Sequence, residues 1–196
     1  MSLVAVPDGK LAAVVTYLEM TSRPEAGIPA STIQLVPVVL LPKSYRNLFA
    51  RIGAPWLWFS RLIMPDAELA SILDHARVTL FEVRAADAVI GMLELDARED
   101  AACELAFVGL IPEFTGQGHG RWLIAEAVAR AWSFEGVERI HVHTCSLDHP
   151  AALAAYRRAG FVAVRRAVET FVDPRLAGVL PREVAPHVPL IDPPRS

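Results

Sequence analysis

The sequence has few cysteines, no excess of basic charge and no long apolar run. Only two of its 196 residues are cysteines, and the spacing of Cys103 and Cys145 fits neither a metal site nor a redox pair. We therefore expect both to be small side chains packed in a protein of a reducing compartment. Lys and Arg number 19 against 22 Asp and Glu, for a net charge of −3. This balance argues against a nucleic-acid partner.

No part of the sequence predicts insertion in a membrane. The longest apolar runs, such as residues 36–41, are far shorter than the ~20 residues that span a bilayer. The N-terminus lacks the basic region, apolar core and cleavage site of a secretory signal. We therefore expect a soluble cytoplasmic protein without a membrane partner. A chain of this length suits one domain with a sizeable core.

The glycine-rich segment 115–120, Thr-Gly-Gln-Gly-His-Gly, lies between an apolar run at 105–111 and an amphipathic run that begins at Arg121. Glycine can adopt positive φ angles and approach a ligand closely. At a helix start, free N–H groups and the helix dipole favour an anion. The order strand, glycine turn, helix therefore predicts a phosphate-binding corner. Its spacing matches neither the dinucleotide fingerprint nor a P-loop, so an ordinary helix cap remains the alternative.

A second informative segment, residues 148–161, follows about thirty residues later. Asp148 suits a helix N-cap and Pro150 suits a first turn. Alanines favour a helix in the middle of the segment, and Gly160 favours its end. Tyr156 would lie about two turns from the helix start.

Together the two segments resemble the GNAT N-acetyltransferase superfamily over about residues 104–161. The family's pyrophosphate loop pattern, Arg/Gln-x-x-Gly-x-Gly/Ala, maps onto Thr115, Gly118 and Gly120, with Thr115 in place of Arg or Gln. Its later helix pattern, Asn-x-x-Ala-x-x-x-Tyr followed by Gly-Phe, maps onto residues 149–161. Here His149 replaces Asn, and Ala152, Tyr156, Gly160 and Phe161 match. The approach to the loop, residues 110–114, also has the family's Pro-Glu-aromatic form.

The resemblance implies an α/β fold with a twisted mixed sheet of six to seven strands flanked by about four helices. Residues 1–172 would form one acetyltransferase domain, with a proline-rich tail at 173–196 packed on it. Alternation and turn residues predict strands at 11–20, 78–84, 89–96, 103–110, 137–145 and 161–172. Residues 33–41, interrupted by Pro37, suit an edge strand or extended segment. Helices are predicted at 42–52, 66–75, 118–132 and 148–160.

The implied activity is acetyl transfer from acetyl-CoA to a primary amine, directly within a ternary complex. The acceptor would be a small molecule, a peptide or a protein, and the resemblance allows a homodimer. The backbone N–H of Leu110 would bind the thioester carbonyl. The residues that the resemblance assigns to the cofactor are Phe107, Val108, Leu110, Thr115, Gly116, Gln117, Gly118, His119, Gly120, Arg121, His149, Ala152 and Tyr156.

Two residues are candidates for proton transfer. Glu104 would accept the amine proton through water, and its position six residues before Leu110 places both on one face of a regular strand. Tyr156 would protonate the leaving thiolate, although a phenol with an ordinary pKa of ~10 is a modest acid. The alternatives are a solvent-facing carboxylate in an ion pair and a core tyrosine.

An aromatic segment after the first predicted helix is the candidate acceptor wall. Tyr45, Trp56, Trp58 and Arg61 would suit an acceptor with an apolar part and a carboxylate, and Glu19 is a further candidate. His141 and His143 share one strand face, but no third ligand is evident, so no metal is predicted.

Two other functions remain open. One is a non-catalytic acyl-CoA-binding or regulatory module on the same fold. The other is a nucleotide-binding protein that uses the glycine corner for ATP or a dinucleotide.

Overall fold

A computed structural model describes residues 3–192. They form seven strands and five helices, with short 3₁₀ turns at Ala54–Trp56 and Pro112–Phe114. The strands are β1 (Lys10–Met20), β2 (Ile33–Val38), β3 (Val78–Ala85), β4 (Ala88–Asp96), β5 (Ala102–Leu110), β6 (Arg139–Cys145) and β7 (Val162–Val172). The helices are α1 (Pro42–Gly53), α2 (Ser60–Ile63), α3 (Asp66–Leu73), α4 (His119–Ala131) and α5 (Ala152–Arg158).

All seven strands belong to one mixed sheet in the order β2-β3-β4-β5-β6-β1-β7. Only β5 and β6 pair in parallel; every other neighbouring pair is antiparallel. The predicted α/β fold with a mixed sheet is therefore confirmed. Pro37 lies in β2, at the sheet edge, where a residue without an N–H is tolerated.

Helices cover both faces of the central strands. The apolar stripe of α1, with Tyr45, Phe49 and Ile52 fully buried, packs on β4 and β5. On the opposite face, α4 packs its buried Leu123 and Ala127 against the same strands. We call these the α1 face and the α4 face. Of the helices in residues 3–192, none is long and apolar enough to span a membrane.

A β-bulge interrupts β5 at Ala106. Glu94 of β4 is opposite Phe107, whereas Leu95 is opposite Leu105, so Ala106 has no partner on β4. The extra residue reverses the alternation of side chains beyond it. Glu104 therefore shares the α1 face with Phe107, while Leu110 lies on the α4 face. The expectation that Glu104 and Leu110 point to one face was wrong, because it assumed a regular strand.

The segment before α5 also differs from the prediction. The helix begins at Ala152 rather than near Asp148, and Asp148 does not cap it. Instead the Asp148 carboxylate accepts hydrogen bonds from the Cys145 N–H (2.8 Å) and the Thr144 hydroxyl (2.8 Å). Asp148 thus fixes the turn that leaves β6.

Beyond β7 the chain continues to residue 192 without a helix or strand. Its centre is Arg175, which pairs with Asp173 and donates to the carbonyl oxygens of Ala185 and Val188. Apolar residues of the same segment, among them Leu180, pack against Leu57. The contacts fasten this segment to the turn before α2.

Candidate active site

The main cleft of the molecule lies where β5 and β6 separate. The two strands pair only from Ala102 to Glu104 and from Arg139 to His141. Beyond these residues they diverge and leave a cleft of about 1260 Å³. The cleft is bounded by the second half of β5, the end of β6, the start of α4, and α5. A ligand entering it meets unpaired backbone on β5.

The backbone of β5 presents N–H groups to this cleft. The Ile111 N–H donates to the Ile90 oxygen on the β4 side (2.8 Å). Because successive N–H groups of a strand point in alternate directions, the N–H of Leu110 points toward the gap left by β6. The predicted cofactor residues Phe107, Val108 and Leu110 all line the cleft.

The glycine corner opens onto the same cleft. Gly116 and Gly118 have φ angles of 75° and 85°, the left-handed region that favours glycine, and Gly118 is the N-cap of α4. The backbone N–H groups of residues 116–120 have no hydrogen-bond partner within residues 3–192. Five free donors at the start of a 13-residue helix suit an anion.

The side chains of the corner serve mainly to shape it. The Thr115 hydroxyl donates to the Pro112 oxygen (2.8 Å), and the Gln117 amide donates to the Glu113 oxygen (2.8 Å). Arg121, at the start of α4, lines the cleft, as does Arg158 at the end of α5. Two guanidinium groups and free N–H donors fit a cofactor with several phosphates. Gln117 and His119, unlike their predicted neighbours, do not line the cleft.

Tyr156 is buried against the ring of Phe161 and lines the cleft. Burial, with a smaller contribution from the negative charge of Asp148, raises the pKa of Tyr156 well above 10. The phenol therefore keeps its proton at neutral pH and is available as a hydrogen-bond donor. Ala152, one turn earlier on α5, lines the same wall.

His149 lies in the turn before α5, where its side chain binds the backbone. Its Nδ1 accepts a hydrogen bond from the Ala151 N–H (3.1 Å), just before α5. Its ring meets the edge of Trp56 at a centroid distance of 5.1 Å. His149 thus lines the cleft with an engaged Nδ1.

Glu104 and His143 lie side by side where the cleft begins, and they form an ion pair when the imidazole is protonated. Glu104 Oε1 lies 3.3 Å from His143 Nδ1, and the His143 side chain is 52% exposed. The bond to His143 holds the pKa of Glu104 below its usual value in spite of burial. The same bond, with the charges of Asp148 and Glu169, raises the pKa of His143 above 6.5. Of the pair, His143 is the better proton acceptor near neutral pH and lines the cleft.

Trp58 forms the wall of the cleft on the α1 face. Its indole N–H donates to Asp148 (3.0 Å), and its ring packs on Phe107 at 5.3 Å. A side chain at Gly53 or Gly109 would overlap neighbouring atoms, which include Trp58 at both positions. Trp56 also lines the cleft, so two of the five predicted acceptor residues lie there.

The other three predicted acceptor residues do not line the cleft. Tyr45 and Arg61 are buried beneath it, where the Tyr45 hydroxyl and Arg61 Nη2 (2.6 Å) both donate to the fully buried Glu94. Glu19 pairs with Arg139 (2.6 Å) on the open part of the α1 face. An acceptor carboxylate bound by Arg61 is therefore excluded, because that guanidinium already neutralises Glu94.

Several cleft residues were missed because no local pattern marks them. The loop 23–29 between β1 and β2 lines the cleft, since β1 lies beside β6. Residues from distant parts of the chain join it: Phe59, Cys145, Asp148, Glu169 and Phe171. The sheet order, with β1 between β6 and β7, brings Glu169 and Phe171 to the site, and the turn before α2 brings Phe59.

Comparison with known proteins decides the family. The model of the acetyltransferase (GNAT) family matches residues 45–161. The chain belongs to the GNAT acetyltransferase family. The match contains the predicted cofactor segments and ends at Phe161, before β7. No curated protein matches this GNAT chain.

Solved structures show the same fold at low sequence identity. A GCN5-related N-acetyltransferase from Sphaerobacter thermophilus has a TM-score of 0.58 and 18% identity, over 81% of this chain and 51% of its own. A GCN5-related N-acetyltransferase from Kribbella flavida has a TM-score of 0.54 and 19% identity, over 87% and 63%. The chain thus spans one half to two thirds of these two proteins.

A shorter similar structure is an aminoglycoside acetyltransferase from an uncultured soil metagenomic sample, solved with sisomicin. Its TM-score is 0.55 and its identity 19%, over 70% of this GNAT chain and 93% of its own. At this identity the likeness concerns the fold alone.

Proposed function

We propose that this GNAT protein is an acetyl-CoA-dependent N-acetyltransferase that transfers the acetyl group directly to a primary amine. One observation carries the proposal. The glycine corner, the unpaired β5 backbone and His143, which is paired with Glu104 behind it, all border a single cleft. A phosphate-binding end, a carbonyl-binding strand and a proton acceptor are what such a transfer needs.

The cofactor end is built to hold an extended phosphorylated thioester. Acetyl-CoA, when bound, supplies an acetyl group activated as a thioester. The N–H groups of residues 116–120 and the charge of Arg121 hold phosphate. The N–H of Leu110 donates toward the position of a carbonyl oxygen and stabilises negative charge there.

The acceptor end carries the base. An ammonium ion cannot attack, so the amine must lose a proton before or during transfer. His143 accepts this proton at a ring nitrogen, and Glu104 orients the ring and stabilises its charged form. This assignment refines the expectation from sequence, in which Glu104 alone was the base. A carboxylate with a lowered pKa holds a proton poorly.

Tyr156 supplies the proton for the leaving group. Tyr156 lines the cleft, and its raised pKa keeps the hydroxyl protonated. The raised pKa makes the phenol a weak acid, so its proton moves only as negative charge builds on the leaving sulfur, and the hydrogen bond that it donates stabilises that charge. Tyr156 is therefore suited to donation late in the transfer.

The experiment is an assay of amine-dependent release of free thiol from acetyl-CoA, with mass spectrometry of the acetylated amine. We expect wild-type protein to form the N-acetyl product and His143→Gln to form it much more slowly. Binding of acetyl-CoA without turnover of any primary amine would instead favour a non-catalytic acyl-CoA-binding module.

A further inference from the structure

The acceptor end of the cleft has an anionic group that proton transfer does not use. Glu169, on β7, lines the cleft and has no ion-pair partner within residues 3–192. The other carboxylate that lines this end, Asp148, is committed to Trp58, Thr144 and Cys145. The third carboxylate of the lining, Glu25, lies on the loop after β1, so Glu169 is the carboxylate on a strand of the lining that is free to bind a ligand.

Basic groups are placed elsewhere. The arginines that line the cleft are Arg121 and Arg158 on the helices of the cofactor end, and Arg23 on the loop after β1. Arg165, on the same strand as Glu169, lies over the Tyr17 ring at 3.9 Å and does not line the cleft. Arg61 is buried against Glu94. The strand β7 thus brings a negative charge and no lysine or arginine to the cleft.

The wall beside Glu169 is aromatic. Phe171, two residues further on the same face of β7, contacts the ring of Phe59 at a centroid distance of 5.1 Å. Both rings line the cleft, as does Trp58. An apolar wall between a proton acceptor and a carboxylate suits a ligand with an alkyl chain between two polar ends.

The register of the strands sets the separation between His143 and Glu169. His143 is opposite Tyr17, which is opposite Arg165, and Glu169 lies four residues beyond Arg165. Four residues span about 13 Å along a strand, and two strand spacings span about 10 Å. A ligand that contacts both His143 and Glu169 must therefore be extended.

We propose that Glu169 is a specificity-determining residue that binds a second ammonium group of the acceptor, so that extended diamines and polyamines are preferred over amino acids. This inference rests on the proposed function, since it names the acceptor class of the same site. The aromatic wall formed by Phe59 and Phe171 packs on the methylene chain between the two nitrogens. The reacting nitrogen lies at His143.

The test compares three acceptors of equal length: 1,6-diaminohexane, hexylamine and 6-aminohexanoate. We expect the wild-type kcat/KM to fall in that order. Glu169→Gln should lower kcat/KM for the diamine about 5-fold, the value of a partly exposed ion pair, and leave hexylamine unchanged. Glu169→Lys should invert the preference between the diamine and 6-aminohexanoate. The matched control is Glu138→Gln, which removes an exposed carboxylate outside the cleft.

Calorimetric titration of the same amines into the CoA-loaded protein separates this inference from the proposed function. Weaker diamine binding by Glu169→Gln supports the second ammonium site even if no amine is acetylated, in which case the proposed function alone fails. Equal loss for all three acceptors, or no loss for the diamine, would overturn the role of Glu169.

Discussion

His143 Nδ1 lies 3.3 Å from Glu104 Oε1, and this contact moves the two pKa values in opposite directions. The strands that carry them, β5 and β6, pair at Glu104 and separate immediately afterwards. The proton acceptor therefore lies where the cleft begins, next to the backbone that becomes free to bind an acyl group.

The pH dependence of the transfer should follow His143. The imidazole accepts a proton only when neutral, so kcat/KM should rise with pH through the raised pKa of His143. Glu104→Gln removes the main cause of the raised pKa of His143. The variant should therefore have its acidic limb of the pH profile at lower pH, with a lower maximal rate. An unchanged acidic limb in Glu104→Gln would contradict the coupling.

The same pair should make stability depend on pH. A histidine with a raised pKa contributes stability that is fully present below 6.5 and is lost as the pH rises through its folded value. The lowered pKa of Glu104 contributes stability above 4.5 that is lost as the pH falls through its folded value. The difference in Tm between wild type and His143→Gln should thus be largest between these limits. A difference in Tm that is constant with pH would show that the Glu104–His143 pair does not contribute to stability.

Replacing Tyr156 by Phe should separate catalysis from binding. The variant keeps the ring contact with Phe161 but loses the proton that the leaving group needs. We expect kcat to fall 10²- to 10⁴-fold, roughly the contribution of a general acid, with little change in the Kd of acetyl-CoA by calorimetry. Unaltered kcat would remove Tyr156 as the acid.

Two glycines of the corner provide a matched pair of variants. Gly118 has a φ angle of 85°, whereas Gly120 has an ordinary φ, and a methyl group at either would meet open space. Gly118→Ala should cost about 1–2 kcal/mol through backbone strain and weaken acetyl-CoA binding by tilting the free N–H groups. Gly120→Ala should leave stability nearly unchanged. Equal effects at the two positions would mean that the left-handed turn does not matter for binding.

The Arg61–Glu94 ion pair, buried beneath Phe107, should matter for stability rather than for the choice of acceptor. Arg61→Met would leave the fully buried Glu94 without its cation, a change worth about 3–5 kcal/mol. Chemical denaturation should show this loss, while the relative kcat/KM values for different amines stay the same. Altered acceptor selectivity in a folded Arg61→Met variant would show that Arg61 does take part in binding the acceptor.

Local patterns predicted the parts of the site that are local in the chain. The glycine corner and the helix with Tyr156 depend on residues within a few positions of each other, so their composition is sufficient. The bulge at Ala106 depends on pairing between β4 and β5 and leaves no mark in the sequence. Glu169 reaches the cleft only through the order of the strands in the sheet. Phe59 reaches it only through the turn before α2, which is far from the other cleft residues in the sequence. Arg61 was misassigned because its partner, Glu94, is 33 residues away.

The most direct test of the central claim is calorimetric titration of the wild-type protein with acetyl-CoA, CoA, ATP and NADH, with Gly118→Ala and Gly120→Ala alongside. We expect acetyl-CoA and CoA to bind with one site per chain, ATP and NADH not to bind, and Gly118→Ala alone to lose affinity. A preference for ATP or NADH, or no binding of acetyl-CoA, would contradict the acetyltransferase assignment.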